Sequence, residues 1–370
     1  MKILYLAESL IPSRSVNRIH VMQMCAALSN LGHQVTLVVP KFNNTQIEQE
    51  VVNVFQFYGV PETFIIQYIS KPSIPGGVYI RAIKAAIFAK RNKGIIYSRD
   101  YWSSLFASFL GSTVNHEFHQ PMPKYKGWRG FLSRRFHSSS RLRKIIVISD
   151  ALKNIFTTSG IEKERILVAH DAATEDHHKA EQLIEGFHIG YVGHLYEGRG
   201  IELIFEIAKQ LPNYYFHLIG GNETDIKRHK ENNPPQNIIF HGFLPPSKVG
   251  ALRKSMDILL APYQKEVMIW GGLKNTVDYM SPLKVFEYMS AKKPIVVSDL
   301  PVLHEVLNTA NAVFCDAENA NEWVNNIKLL IENPLWAKKI AKNAFLDFQA
   351  GYTWDKRAGN ILKGIQEGHE

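Results

Sequence analysis

Cysteine is almost absent from this 370-residue chain, which carries only Cys25 and Cys315. Two isolated cysteines exclude a disulfide framework and a four-cysteine zinc site, and such scarcity is typical of a reducing compartment. No stretch approaches the roughly 18 consecutive apolar residues that a membrane-spanning helix needs. The apolar run at the N-terminus stops at Glu8, too early for a secretory signal, and predicts a buried strand. These absences predict a cytoplasmic protein.

Glycine is missing from the first predicted strand-to-helix turn, residues 6–15. A nicotinamide-binding Rossmann domain needs glycines at this turn, so a dehydrogenase is disfavoured. The zinc motif HExxH is also incomplete, because His116-Glu117 is followed by Gln120 where the second histidine belongs. No cluster of acidic residues indicates a metal. We therefore predict neither a metal site nor a bound cofactor.

Acidic residues are scarce in the first half of the chain. Residues 1–170 carry 22 Lys and Arg against 9 Asp and Glu, whereas residues 171–370 carry 21 against 25. The net charge of +9 therefore belongs to the N-terminal half.

The basic character is strongest in residues 121–144, which contain eight Lys and Arg and no acidic residue, with Trp128, Phe131 and Phe136 interleaved. This composition indicates contact with an anionic membrane surface, and a peripheral location on the inner face of the membrane follows from it. A solvated helix with its aromatic residues in the core is the alternative. A nucleic-acid site is disfavoured by the acidic second half, and we predict no nucleic acid as partner.

Apolar runs alternate with helical patterns along the chain, which predicts parallel βαβ units. In the first half the expected strands are 2–7, 34–39, 63–69, 94–97 and 144–149, and the expected helices include 17–31 and 78–90. The pattern restarts with strands at 187–192, 215–219, 238–240, 258–261, 295–298 and 312–314. The expected fold class is α/β, with two doubly wound Rossmann-like domains facing a central cleft.

The expected domains are residues 1–172 and residues 187–345. Polar residues 173–186 lack an apolar period and are interpreted as a linker. Ligands of doubly wound sheets bind at the carboxyl ends of the strands, which here predicts a site in the cleft.

The glycine-rich segment 193–200 follows a predicted strand and opens a helix. Glycines allow the backbone to approach an anion, and the helix N-terminus adds positive potential. The spacing is that of a Walker A loop, but Arg199-Gly200 replaces the required Lys and Ser/Thr, which disfavours a nucleoside triphosphatase. The alternative is a plain strand–helix turn with an exposed arginine.

A second segment begins at Ser281-Pro282-Leu283-Lys284 and continues to Glu287. Ser281 is a suitable N-cap and Pro282 a suitable first helical residue, so a helix is expected to begin here. Lys284 at the helix start favours phosphate binding, and Glu287, on the same face, can accept hydrogen bonds from ribose hydroxyls. The alternative is an ion pair on a solvated helix face.

These segments resemble the retaining glycosyltransferases of family 4, also called group 1, which have the GT-B fold. The resemblance covers nearly the whole chain, and its specificity comes from the order and spacing of modest motifs. The matching segments are 14–20, 31–35, 144–149, 166–171, 191–200, 240–244, 257–263, 281–290, 298–306 and 351–365.

The resemblance implies that residues 1–172 form the acceptor side, that residues 187–345 bind the nucleotide-sugar, and that residues 346–370 form a C-terminal helix that crosses back to the first domain. It also implies a role for each matching position. Glu287 would hold the donor ribose, the turn at Ser281, Pro282 and Leu283 would meet the diphosphate through its backbone, and Arg199 with Lys284 would neutralise it. Further donor-binding positions are implied beside the diphosphate and around the base. They are Gly193, His194, Ser15, Asn17, Gly242, Phe243 and Leu244. His116, in a segment that resembles a loop near the reacting centre, would orient the sugar or acceptor.

The chain departs from the family pattern at several of these positions. A glutamate that holds the transferred sugar is common eight residues before Glu287, where this chain has Tyr279 with Asp278 beside it. Asp278 could substitute, one position out of register. His194 stands where arginine is frequent, and Ser15 and Asn17 occupy a loop that commonly has two glycines.

The expected function is sugar transfer, with retention, from a UDP- or GDP-sugar to a glycan or lipid-linked acceptor, in cell-surface polysaccharide or lipopolysaccharide synthesis. Two alternatives remain. One is a non-hydrolysing sugar-nucleotide epimerase of the same fold, and the other is a non-enzymatic sugar-binding protein.

Overall fold

The computed structural model describes residues 1–13, 16–41, 51–267 and 275–367, apart from the side chains of residues 16, 17, 246 and 247. The chain divides into two compact units. The first contains Met1–Ile148, Leu152–Ala169 and Trp354–Glu370, and the second contains Ser149–Ala151 and His170–Thr353. Each unit is built on one parallel sheet, so the expected α/β class is confirmed.

The sheet of the first unit has seven strands. They are β1 (Lys2–Leu6), β2 (Gln34–Pro40), β3 (Ile65–Ile69), β4 (Ile95–Ser98), β5 (Val114–Phe118), β6 (Leu142–Val147) and β7 (Ile166–Val168). Their order in the sheet is β3-β2-β1-β4-β5-β6-β7, with every pair parallel. The winding direction reverses between β1 and β4, which makes this pair the topological switch point.

The sheet of the second unit has six strands. They are β8 (His188–Val192), β9 (Tyr215–Ile219), β10 (Ile238–Gly242), β11 (Ile258–Ala261), β12 (Ile295–Ser298) and β13 (Val313–Cys315). The order is β10-β9-β8-β11-β12-β13, again entirely parallel. The switch point of this sheet therefore lies between β8 and β11. Ligands of such sheets bind in the crevice beyond the strand ends at this point.

Thirteen helices are present among the described residues. They are α1 (Val16–Asn30), α2 (Val54–Tyr58), α3 (Gly77–Asn92), α4 (Tyr101–Phe109), α5 (Gly127–His137), α6 (Asp150–Thr158), α7 (Ile201–Gln210), α8 (Glu223–Glu231), α9 (Pro246–Ser255), α10 (Leu283–Ser290), α11 (Ala320–Glu332), α12 (Pro334–Gly351) and α13 (Trp354–Gln366). Residues 346–351 continue α12 in the second unit, so the helix that joins the first unit begins at Trp354.

None of the helices in the described ranges is both long and apolar enough to cross a membrane. Their apolar sides are used instead to cover the sheets. The strands beneath them are buried on both faces, as in β8, where all five residues are buried. This arrangement is typical of parallel sheets, whose strands read as continuous apolar runs because helices cover both faces.

A buried carboxylate, Glu117 on β5, ties α13 to the sheet of the first unit. Arg357 on α13 contacts both of its oxygens, at 3.1 and 3.2 Å. His20 Nε2 lies 3.2 Å from Oε1, and Tyr97 and His119 also bond to this side chain. Burial raises the pKa of Glu117, but Arg357 and His20 outweigh burial and hold it well below its usual range. The carboxylate is therefore ionised and paired.

Because removing one partner of a buried ion pair leaves an uncompensated charge, Arg357→Met is expected to lower the free energy of unfolding of the first unit by about 3–5 kcal/mol. Lys363→Met on the same helix is the matched control, since Lys363 is 77% exposed and pairs only with the exposed Glu367. Urea unfolding of both variants measures the difference. Equal loss in the two variants would contradict the role given to Arg357.

Candidate functional site

The loop that follows β8 lies at the switch point of the second sheet. Gly193 donates its N–H to the Ile219 carbonyl at 2.9 Å and has φ +147°. A Cβ at Gly193 would lie 2.8 Å from Lys284 Nζ, and a Cβ at Gly200 would lie 1.9 Å from the Pro262 carbonyl oxygen. The loop therefore packs its backbone directly against the segment after β11, which only glycine permits at these positions.

Lys284, in the first turn of α10, extends its ammonium into this switch point. Its Nζ lies 3.8 Å from the centre of the Tyr191 ring, at the end of β8, and 5.0 Å from that of Tyr263, after β11. Aromatic faces attract a cation but do not neutralise it. Burial and the nearby charge of Arg199 lower the pKa of Lys284 well below its ordinary value, while Glu287 acts weakly in the opposite direction.

Arg199 approaches the same aromatic ring from the glycine loop. Its guanidinium carbon lies 5.5 Å from the centre of the Tyr263 ring. Its Nε is buried and has no hydrogen-bond partner among the residues that the structure describes. Within the same residues, neither Arg199 nor Lys284 lies within ion-pair distance of a carboxylate. Two neighbouring, partly desolvated basic side chains without a counter-charge make this a candidate anion site.

The start of α10 differs from the expectation at Ser281. Pro282 is the N-cap in extended conformation, φ −78° and ψ 114°, and the helix begins at Leu283. Because the chain is extended at Pro282, Ser281 lies too far back to cap, and its hydroxyl instead accepts the N–H of Asp171 at 2.9 Å. The predicted capping by Ser281 is therefore wrong. The first N–H groups of the helix have no side-chain cap and are available to an anion.

A tyrosine one turn further along α10 holds the helix against the switch point. The Tyr288 hydroxyl accepts the N–H of Val192 at 2.8 Å and donates to the Leu260 carbonyl at 3.2 Å. It therefore bridges the ends of β8 and β11. These hydrogen bonds fix the position of α10 relative to the sheet, and with it the positions of Lys284 and Glu287.

Glu287 is oriented by a buried arginine that sequence reasoning missed. Arg253 on α9 donates from Nη1 to Glu287 Oε2 at 3.2 Å, and from Nε and Nη2 to Asp176 Oδ2 at 3.0 and 2.6 Å. The Glu287 side chain is 40% exposed, so one face remains open. Burial raises the pKa of Asp176, but Arg253 outweighs it and lowers the pKa overall.

Asp176 comes from the polar stretch interpreted as a linker, and its side chain is fully buried. A polar residue in a segment without apolar period gives no sequence signal of burial. The sequence contains one indirect signal of a buried carboxylate. It is Arg253, the single arginine of α9, a helix whose other face packs on the sheet. A buried guanidinium requires a carboxylate partner.

The carboxyl ends of β9 and β10 carry the positions expected to line the base. Gly242 ends β10 with φ +68°, and its carbonyl accepts the N–H of Gly220 at 2.9 Å. Phe243 is 57% exposed, and Leu244 is half-buried against the core of the unit. An exposed aromatic face beside two glycine turns is a surface on which a planar base can stack.

Three histidines connect β8, β9 and β10 behind this surface. His188 Nε2 lies 2.9 Å from the Ile184 carbonyl, His188 Nδ1 lies 2.9 Å from His217 Nε2, and His217 Nδ1 lies 2.8 Å from His241 Nε2. Because the carbonyl only accepts, His188 donates from Nε2, and its Nδ1 can then accept from His217 Nε2 while His217 Nδ1 accepts from His241 Nε2. Burial lowers the pKa of His217 and of His241, which favours the neutral form of these two rings.

His194 lies on the open side of the glycine loop. Its ring stacks on Tyr196 with centres 4.7 Å apart. Partial burial and the nearby charges of Arg199 and Lys284 lower its pKa. A neutral ring adds no counter-charge for an anion, so His194 borders the site as a hydrogen-bonding and stacking group.

Asp278 and Tyr279 lie in a turn shortly before α10. Asp278 is exposed, whereas Tyr279 is 7% exposed and its carbonyl accepts from the Ser149 hydroxyl at 2.9 Å. Burial, with a contribution from Asp278, raises the pKa of the Tyr279 hydroxyl. Asp278 is thus the accessible group of this pair.

Of the positions expected in the first unit, Ser15 and the side chain of Asn17 lie outside the described residues. His116 was expected in a loop, and this is wrong, because it lies inside β5 and is 2% exposed. Its Nδ1 is 2.7 Å from the Ser104 hydroxyl, and burial lowers its pKa to about 3. His119, one residue beyond the strand, has a 25% exposed side chain and is the accessible histidine of this segment.

Comparison with known families gives this geometry its context. The family model described as glycosyl transferases group 1 matches residues 174–347, and the model of glycosyltransferase family 4 matches residues 18–173. The chain belongs to the group 1 glycosyltransferases of family 4. It is therefore a transferase, which confirms the expected enzyme class and excludes the alternative of a non-enzymatic sugar-binding protein.

Relatives by sequence match this glycosyltransferase over short segments. A stretch of 122 residues is 27% identical to the α-galactosylglucosyldiacylglycerol synthase of Streptococcus pneumoniae. The stretch spans 31% of this chain and 29% of that enzyme. The segment therefore covers less than a third of either protein.

Solved structures match over the full length. Alr3699/HepE of Anabaena, determined in complex with UDP, has a TM-score of 0.73 at 14% identity, covering 99% of this chain and 100% of that one. A glycosyltransferase from Rickettsia africae has a TM-score of 0.74 at 16% identity, covering 100% and 98%. At these identities the likeness shows the fold, which is that of the GT-B glycosyltransferases.

The three hydrogen-bonded histidines, His188, His217 and His241, make the stability of the second unit depend on pH. Burial lowers the pKa of His217 to about 4 and also lowers that of His241, whereas a histidine in the unfolded chain titrates near 6.5. Between pH values of about 4 and 6.5 the unfolded state therefore binds more protons than the folded state. The stabilisation that the buried histidines give is complete above about pH 6.5 and is lost as the pH falls towards about 4.

His217→Gln is expected to reduce the fall in melting temperature between pH 7 and pH 5, since a glutamine amide can donate and accept but does not titrate. His304→Gln, at a histidine with a 46% exposed side chain in the same unit, is the matched control. Calorimetry at the two pH values measures the effect. An unchanged pH dependence in His217→Gln would contradict the assignment of neutral, hydrogen-bonded rings.

Proposed function

We propose that this enzyme transfers a sugar, with retention of configuration, from a nucleoside-diphosphate sugar to a glycan or lipid-linked acceptor in cell-surface polysaccharide or lipopolysaccharide synthesis. The observation that carries the proposal is the pair of cations, Arg199 and Lys284, that meet at Tyr263 without a carboxylate partner among the described residues. A diphosphate supplies the missing charge. Alr3699/HepE, which has this fold, was determined with UDP and with UDP-glucose.

Glu287 gives the proposed site its second contact to the nucleotide. Its open oxygen can accept from the ribose hydroxyls, while Arg253 holds the other oxygen at 3.2 Å. The exposed ring of Phe243 at the end of β10 is the surface proposed for the base. A UDP- or GDP-sugar satisfies all of these groups, because both combine a base, a ribose and a diphosphate.

The proposed reaction breaks the bond between the anomeric carbon and the diphosphate oxygen and forms a bond from an acceptor oxygen on the same face. The acceptor proton passes to the leaving diphosphate oxygen. Arg199, Lys284 and the N-terminus of α10 stabilise the charge that develops on that oxygen, which makes electrostatics their main contribution. The transferred sugar is proposed to meet Asp278, the exposed acid of its turn.

The acceptor side of the proposal rests on the first unit. His119 is the candidate for orienting the acceptor or sugar, because it is partly exposed and held by Glu117, whereas His116 is buried. A lipid-linked acceptor agrees with the basic segment 121–144, proposed to contact an anionic membrane surface. The relative in Streptococcus pneumoniae is a glycolipid synthase. The epimerase alternative is disfavoured by the family assignment.

Arg199→Ala is expected to reduce turnover roughly 100- to 1000-fold, the effect of removing one group that stabilises a developing charge. Glu287→Gln, which weakens the proposed contact to the ribose, is expected to lower turnover as well. A thermal-shift screen of nucleoside diphosphates and their sugar conjugates first identifies the donor. Nucleotide release with and without acceptor then measures transfer. Lys227→Ala and Glu231→Gln, at exposed positions of the same unit, are matched controls. Full turnover in both test variants would contradict these roles.

Binding of a diphosphate is expected to be accompanied by proton uptake. Burial and Arg199 lower the pKa of Lys284 in the empty site, and a bound dianion raises it, so binding is expected to be coupled to proton uptake by this lysine. Titration calorimetry with UDP and with GDP, in two buffers of different ionisation enthalpy, measures this uptake. Lys284→Met is expected to abolish it. Identical heats in the two buffers for the unaltered enzyme would contradict the role of Lys284.

A further inference from the structure

Exposed hydrophobic side chains are concentrated on two helices of the first unit. Of the 17 large apolar side chains that are exposed among the described residues, six lie on α3 and α5. They are Val78, Ile80, Ile83 and Ile87 on α3, and Trp128 and Phe131 on α5. Ile74, just before α3, is also exposed, at 57%. Single exposed apolar residues are ordinary, but a contiguous set marks an interaction surface.

Helix α3 is amphipathic in an unusual sense. Its inner face is made of small residues, with Ala82, Ala85, Ala86 and Ala89 buried. Its outer face alternates isoleucines with cations at helical spacing. The outer residues are Ile80, Ile83, Lys84, Ile87, Lys90 and Arg91. Most of the large apolar side chains of this helix therefore point to solvent, while the alanines and Arg81 are buried and Phe88 packs partly on the core.

The outer faces of α3 and α5 form one surface because their first turns are in contact. The rings of Tyr79 on α3 and Trp128 on α5 have centres 5.3 Å apart. The Arg129 guanidinium lies 5.6 Å from the centre of the Tyr79 ring and 5.5 Å from that of Trp128. Trp128 and Phe131 remain 55% and 57% exposed. We call the exposed residues of α3 and α5 the apolar–basic face.

The exposed charges on these two helices have a single sign. Residues 63–99, which include α3, contain seven Lys and Arg and no Asp or Glu, and one of the seven, Arg81, is buried and paired with Asp100. Residues 118–149, which include α5, contain eight and likewise no acidic residue. Isoleucine and tryptophan side chains that insert beneath a layer of cations match a bilayer surface, whose headgroups are anionic and whose interior is apolar.

We propose that the apolar–basic face of α3 and α5 docks on a bilayer that contains anionic phospholipid, with Ile83, Ile87 and Trp128 inserted. This extends the docking site well beyond residues 121–144, since α3 supplies most of the inserted side chains. The purpose of this docking, which is to bring the enzyme to a lipid-linked acceptor, rests on the proposed function. Its physical test needs neither donor nor acceptor.

Co-sedimentation with vesicles tests the docking. The unaltered enzyme is expected to bind phosphatidylcholine vesicles containing phosphatidylglycerol, to bind less as salt is raised, and to leave pure phosphatidylcholine vesicles unbound. The double variant Ile83→Glu/Ile87→Glu is expected to lose at least tenfold in affinity. Leu329→Glu/Leu346→Glu, at helical positions of the second unit that are 44% and 50% exposed, is the matched control. Melting curves establish that each variant is folded.

Fluorescence gives the depth of insertion independently of affinity. Brominated lipids are expected to quench part of the tryptophan emission, and Trp128→Phe is expected to remove that part while binding persists. Unchanged binding of Ile83→Glu/Ile87→Glu, or absence of binding to anionic vesicles at low salt, overturns the proposal. A dimer that dissociates in Ile83→Glu/Ile87→Glu, without vesicle binding, overturns it in favour of a second copy of the chain. A UDP- or GDP-induced thermal shift in the same samples reports on the donor site separately.

Discussion

The proposed donor site depends on two basic side chains that lie close together where no acidic side chain of the described residues pairs with them. Arg199 and Lys284 meet at one aromatic ring, Tyr263, at the switch point between β8 and β11. Such an arrangement costs free energy in the empty protein, because two like charges are partly removed from water. The low pKa of Lys284 is the expression of that cost. In the proposed function a bound diphosphate removes this cost, so the affinity for the ligand and the unfavourable electrostatics of the empty site have the same cause.

The surrounding structure holds this site rigidly through groups that never reach the ligand. Tyr288 bridges the ends of two strands, and Arg253 links the nucleotide-facing Glu287 to the buried Asp176. The segment that provides Asp176 has no regular secondary structure, yet it carries one of the fully buried carboxylates of the unit. Precise placement of a binding group generally needs such a second layer of partners.

Periodicity and motif spacing were sufficient for most of the strands, the fold class and the enzyme family. Strands such as β1 and β11 are short apolar runs, as expected in a parallel sheet covered by helices on both faces. The sequence did not reveal that Ser281 bonds to Asp171, that Arg253 supports Glu287, or that His116 is inside a strand, since each depends on contacts between residues far apart in the chain. Helix α4 was missed as well, although Asp100, which caps it, is a recognisable signal. The local periodicity of a sequence does not show which distant residue a polar side chain will bond to.

The conformation of Gly193 has a consequence for how this loop can vary. The space that a side chain would occupy at this position is taken by the end of Lys284, 2.8 Å from the ideal Cβ. Even a single methyl group there would require the end of Lys284 to shift from its place beside the rings of Tyr191 and Tyr263. A substitution that leaves the net charge of the protein untouched would thus move one of the two basic groups of the switch point.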